Sequence, residues 1–144
     1  MNVQKVISGK KIQSVEIISA QETLAAAAAS LASKKIGALI VLDRRGGVAG
    51  IISERDIVWR VAAEGATCLT SPVASAMTKA VKICAPTDTV ASVTQQMTEG
   101  RFRHMPVMDG GRLVGVISIG DVLKARMDQI EMENRAMEDM IRGI

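Results

Sequence analysis

With 144 residues, 48% of them hydrophobic and 1% aromatic, the chain can build a core only from Ala, Val, Ile, Leu and its nine Met. Trp59 and Phe102 are its only Trp, Tyr or Phe residues, which nearly excludes a nucleic-acid surface made of base-stacking platforms. The formal charge of +3 comes from Lys and Arg interspersed with Asp and Glu, a mild positive field that suits small anions as well as nucleic acid.

In chain order, MNVQKVISGKK lacks the apolar stretch of a signal peptide, and LAAAAASLA from Leu24 is too short and Ala-rich to span a bilayer. A soluble, cytoplasmic protein without membrane contact is expected. Residues 15–18 read as a strand. Ser19 and Glu22 have the spacing of a capping box and predict a helix start, followed by an apolar stripe of Leu24, Ala27, Ala28, Leu31 and Ala32 up to Lys34 and Lys35. Residues 38–43 and 48–53 flank an RRGG turn and predict a hairpin, and ERDIVWRVAAEG predicts a helix closing at Gly65. ATCLTSPVASAMTKA reads as a linker. Beyond it VKIC predicts a strand, APTD a helix with Pro86 in its first turn, and HMPVMD with RLVGVIS a second hairpin around Gly110 and Gly111.

The last helix carries Leu123, Met127, Ile130, Asn134, Met137, Ile141 and Ile144 at alternating steps of four and three, a heptad seam with one polar residue. It suits either a helix folded back on its own domain or one paired with a second copy. Cys68 and Cys84 form no CxxC and, with the single His104, no zinc constellation, so they read as reduced thiols and no metal site is expected.

The two halves are copies. GIISERD, residues 50–56, and GVISIGD, residues 115–121, align at an offset of 65, setting Gly50, Ser53 and Asp56 on Gly115, Ser118 and Asp121. Upstream the offset is 66 and brings Ile17, Thr23, Leu24 and Leu31 onto Ile83, Thr89, Val90 and Met97. The repeats span residues 8–68 and 81–127, with a linker at 69–80 and a helical extension at 128–144. Each copy is too small to be more than marginal alone, so one shared module is expected. The predicted class is α/β (α+β): two βαββα units packed with pseudo-twofold symmetry, plus the C-terminal helix.

In each copy Ser-x-x-Asp marks the start of a helix. A single copy weighs as a structural cap, since Ser is a good N-cap and Asp at the third position favours the macrodipole. Two matched copies place two helix N-termini and two carboxylates equivalently. Helix-terminal amides can take a phosphate, and a carboxylate can accept hydrogen bonds from vicinal ribose hydroxyls, so the pattern fits a nucleotide. Duplication would copy caps as faithfully as sites, and both readings stay open here. Arg101, Arg103 and His104 lie just before a predicted strand, where they can reach a phosphate, and Arg55 lies inside the first motif. Lys34, Lys35 and Arg60 read as solvated surface charges.

GVAGIISERDIV with RLVGVISIGDVL, the segment RFRHMPVMDGGRLVG and the AMT at the linker's end resemble a tandem pair of CBS domains, of the stand-alone bacterial type with a C-terminal helical extension. The resemblance covers about residues 8–127. It implies clefts for adenosine-containing ligands such as AMP, ADP, ATP, NAD or S-adenosylmethionine. It implies that Asp56 and Asp121 hold ribose hydroxyls, with Ser53 and Ser118 near ribose or phosphate. It implies an adenine site among Ile17, Gly37, Ala38 and Leu39 in one repeat and Ile83, Met105 and Pro106 in the other, and a phosphate role for Arg103 and His104. Ser stands in both motifs where the family often has Thr.

The expected function is a regulatory, non-enzymatic adenine-nucleotide sensor of energy or redox state that changes conformation on binding, has no catalytic cofactor, forms a homodimer and acts on an unknown regulated protein. No catalytic residues are assigned, because the one His lacks a nucleophile partner and the two carboxylates are poorly arranged as an acid/base pair. The alternatives are a structural dimerisation module with empty clefts and a nucleic-acid binder. The lack of a basic stripe argues against the second.

Overall fold

The computed structural model describes residues 1–10 and 16–143, so Val15 of the first expected strand and Ile144 of the seam lie outside the described residues. The chain divides into two compact units, residues 14–82 and residues 1–13 with 83–144.

Helix α1 (Val3–Ser8) opens the chain and belongs to the second of these. The first-repeat unit follows as β1 (Ile17–Ser19), α2 (Leu24–Lys34), β2 (Ala38–Leu42), β3 (Val48–Ser53) and α3 (Glu54–Glu64), the last ending at Gly65 as the sequence predicts. β1 runs parallel to β2, and β3 returns antiparallel to it, with Ile17 opposite Ile40 and Ala38 opposite Ser53. Strand alternation sends Leu39, Val41 and Ile52 to one face, where they bury against Leu24, Ala27 and Leu31 of α2. Ile17, Ala38 and Ser53 share the other face.

The second-repeat unit contains α4 (Val90–Gly100), β4 (His104–Asp109), β5 (Arg112–Ser118) and α5 (Ile119–Arg142). Its core joins Val90, Val93 and Met97 of α4 to Met105, Val107, Ile117 and Val122, with Val3 of α1 inserted among them.

The expected helix starts shift. Ser19 does not cap α2, because β1 continues through it opposite Leu42 and the amide of Ala20 still donates to Leu42 O at 3.0 Å. Thr23 is the cap, its hydroxyl accepting from the Ala26 amide at 3.1 Å. In the second copy Thr89 caps α4 in the same way through the Ser92 amide, so Pro86 lies ahead of the helix and outside its first turn.

VKIC is not a full strand either: only Cys84 bridges, to Val107. In the first copy the ladder uses the amides of Ile40, to Glu16 O at 3.1 Å, and Ala20, to Leu42 O. The equivalent positions in the second copy are Pro106 and Pro86, which have no N–H. Two ladder bonds therefore cannot form, and what remains is Cys84 N–H to Pro106 O at 3.0 Å and Met108 N–H to Cys84 O at 2.8 Å.

The stretch read as a linker is also part of the packing. It forms two short 3₁₀ turns, Ala66–Thr70 and Val73–Ser75, and buries Cys68 and Val73. Val73 donates to Glu22 O and Ala74 to Ala20 O, while in the other unit Val3 donates to Asp88 O and Gln4 to Pro86 O. The N-terminal segment thus does for the second repeat what the inter-repeat segment does for the first. Gly50 and Gly115 mark the corresponding contacts. A Cβ at Gly50 would lie 2.5 Å from Thr78 O, and one at Gly115 would lie 3.4 Å from Ile7 Cδ1.

Among the described residues no helix is long and apolar enough to cross a membrane. After Ala125 no residue of α5 is buried, so the seam does not fold back on its own unit.

Candidate functional site

Each Ser-x-x-Asp motif sits where a hairpin strand turns into a helix, at β3–α3 and at β5–α5. Ser53 and Ser118 are the N-caps, and both motifs form complete capping boxes. In the first, Asp56 Oδ2 accepts from the Ser53 amide at 2.9 Å and from its hydroxyl at 3.0 Å, while the Asp56 amide donates to Ser53 Oγ at 3.2 Å. In the second, Asp121 Oδ2 accepts from the Ser118 amide at 2.8 Å, and the Asp121 amide donates to Ser118 Oγ at 3.1 Å.

Cap and ligand contact are compatible, because each cap engages only Oδ2. Among the described residues Oδ1 of neither aspartate accepts a hydrogen bond. The first amide of each helix is already bound by the preceding strand region, Glu54 N–H to Gly37 O at 3.1 Å and Ile119 N–H to Arg103 O at 2.8 Å. With the third amide on the Ser hydroxyl, the amides of Arg55 and Gly120 remain as first-turn donors. A whole helix terminus is therefore not on offer to a phosphate; one amide in each copy is.

The register brings some of the expected residues beside these turns. Ala38 stands opposite Ser53, and His104 opposite Ser118. Gly37 and Arg103 are tied to the helix starts by their carbonyls. Ile17 and Ile83 are about half exposed, at 49% and 54%. The side chains of Leu39 and Met105 instead point into the cores of their own units, and Pro106 is fully buried, so these three present no side-chain surface. Arg55 lies along the exposed face of α3, its guanidinium carbon 5.9 Å from the centre of the Trp59 ring. Lys34 is ion-paired with Glu16, and Arg60 with Glu64, in keeping with surface roles.

A functional candidate absent from the sequence reading is Lys10. Its ammonium lies 3.0 Å from Asp121 Oδ2 and donates to Val116 O at 2.9 Å. Nothing in a sixty-six-residue repeat signals this contact, since Lys10 precedes the repeat it serves. The signal available was a weaker echo, VQKVIS near the N-terminus against VASAMT after Pro72, in which Lys10 has Ala80 as its counterpart. The two motifs are thus chemically unequal: among the described residues Asp121 is ion-paired and Asp56 is not.

A shallow groove of about 470 Å³ opens between α2 and α3, lined by Ala28, Leu31, Ala32, Lys35, Ile36, Gly37, Glu54, Ile57 and Val58. It takes in Glu54 of the first motif but neither Ser53 nor Asp56.

The family model for the CBS domain matches the chain twice, over residues 11–63 and 73–128. This chain belongs to the CBS-domain family. Its tandem CBS pair is 33% identical over 130 residues to a 17.7 kDa protein of Acidianus ambivalens, covering 90% of this chain and 77% of that protein. It is 24% identical to CBSCBSPB1 of Arabidopsis thaliana, spanning 98% of this chain but only 26% of that relative's length. Among solved structures, the CBS-domain protein ATU1752 of Agrobacterium tumefaciens matches with a TM-score of 0.82 and 44% identity, over 87% of this chain and 92% of that one. Two more distant CBS structures share the fold. CBSX2 in complex with AMP has a TM-score of 0.74 at 22% identity, covering 90% of this chain and 98% of that one. The MJ0100 CBS pair, in complex with 5′-methylthioadenosine and S-adenosyl-L-methionine, has a TM-score of 0.76 at 21% identity, with the same coverage.

Proposed function

We propose that this CBS pair is a regulatory, non-enzymatic module that binds an adenosine-containing ligand at its Ser-x-x-Asp turns and changes conformation on doing so, as a homodimer in the cytoplasm. The observation that carries the reading is the pair of capped aspartates, each held rigid through Oδ2 with Oδ1 available to ribose hydroxyls. The ligands of CBSX2 and MJ0100 support the adenosine class. AMP, ADP, ATP, NAD and S-adenosylmethionine all fit it. In this reading Asp56 and Asp121 hold ribose hydroxyls, Ser53 and Ser118 lie near ribose or phosphate, and Gly37, Ala38, Leu39, Ile17, Ile83, Met105 and Pro106 border adenine. Arg55, Arg103 and His104 approach phosphate. The repeats at 8–68 and 81–127 each supply one such turn.

Isothermal titration of the purified chain with these five ligands tests it. Saturable binding of at least one is expected; no binding of any contradicts it. That negative result would favour the second reading, a structural module in which the motifs are caps only. The two complete capping boxes and the occupied Asp121 are the observations on that side.

A further inference from the structure

We propose, resting on the homodimer of the proposed function, that the outer part of α5 pairs with the same helix of the second copy in a parallel, in-register coiled coil. Leu123, Met127, Ile130, Met137 and Ile141 form one stripe and are 53–82% exposed. The seventeen residues from Arg126 to Arg142 bury no side chain in their own unit. Most helical stability in proteins comes from packing an apolar face, and this stretch packs its own on nothing within its unit. Covering the described seam on both helices removes on the order of 1,000 Å² from water, the size a specific interface needs.

The occupant is a second copy because the seam complements itself. With Met127, Asn134 and Ile141 at a and Leu123, Ile130 and Met137 at d, a parallel alignment sets Asn134 opposite Asn134 of the partner helix. The antiparallel registers put it against Leu123, Ile130 or Met137 instead, leaving its amide facing an apolar side chain. In the parallel register Arg126 at g meets Glu131 at e of the other helix, an attractive pair formed twice. Glu133 and Glu138 meet as like charges one heptad later. That mismatch gives the register a signature, because reversing one charge should strengthen the assembly.

The test is the dimer dissociation constant, by analytical ultracentrifugation at low salt and without nucleotide, so that it stands apart from ligand binding. The wild-type chain should dimerise. Ile130→Lys should weaken the dimer by about tenfold or more, and Glu138→Lys should tighten it by relieving the Glu133 contact. Neither position is buried, so circular dichroism and Tm should show the CBS units intact in both variants. A monomeric wild type, or an Ile130→Lys dimer as tight as wild type, would overturn the interface. Weakening by Glu138→Lys would overturn the parallel register, since the antiparallel register that fills most layers, with Asn134 against Ile130, sets Glu138 against Lys124.

Discussion

Asp56 and Asp121 occupy equivalent positions and differ in one neighbour. The Lys10 ammonium is ion-paired with Asp121, whereas among the described residues Asp56 has no ion pair; in the proposed ligand-binding reading this cation stands beside the ribose-holding carboxylate. Such a partly exposed contact is worth about 1 kcal/mol or less. Lys10→Met should therefore lower the preference of this site for AMP over adenosine by roughly threefold to fivefold, read by titrating both ligands; an unchanged ratio would assign Lys10 to structure alone. Cys84 offers a second residue-scale consequence. Burial, helped by the Asp88 carboxylate, pushes its thiol up to about 11 from an ordinary 9.0. The unfolded thiol ionises first as pH rises, so the stability this site contributes is fully present below pH 9 and lost by about pH 11. The Tm advantage of wild type over Cys84→Ala should shrink across that interval, and a constant difference would contradict the assignment.

Among the elements, Gly50 and Gly115 separate two ways of closing the same hairpin. Gly50 lets the backbone of Thr78 pair with Ile51, and a Cβ there would meet Thr78 O at 2.5 Å and Met77 Sδ at 2.9 Å. Gly115 faces only the flexible end of Ile7, at 3.4 Å. Gly50→Ala should cost about 1–3 kcal/mol and Gly115→Ala well under about 1 kcal/mol, measured by denaturant unfolding; equal costs would contradict the asymmetry. Both hairpins, α3 and the start of α5 were legible in the sequence because alternation, Gly turns and Ser caps are local signals. The first strand of the second copy was not, since its loss depends on two prolines twenty residues apart removing bonds to each other's strands. The starts of α2 and α4 were misplaced because strand pairing through Ser19 outcompeted its capping potential. The heptad seam was legible, but only the exposure of Ile130, Met137 and Ile141 decides against folding back.

At the scale of the whole molecule, the repeat in the sequence is displaced from the unit of packing. Each compact unit consists of one repeat closed by the segment that precedes the other, residues 1–13 joining 83–144 and the inter-repeat stretch staying with residues 14–82. The duplicated motif was visible at once; its partner Lys10 was hidden by this exchange. The same exchange gives the two Ser-x-x-Asp turns different surroundings, so in the proposed reading a single ligand should fill them with unequal affinity. The most direct measurement is isothermal titration with AMP of wild type, Asp56→Ala and Asp121→Ala, each checked for retained fold because loss of the cap costs about 1 kcal/mol. The account predicts that each variant loses one class of sites and keeps the other. Undiminished binding in both variants would contradict it, leaving the two aspartates as helix caps and nothing more.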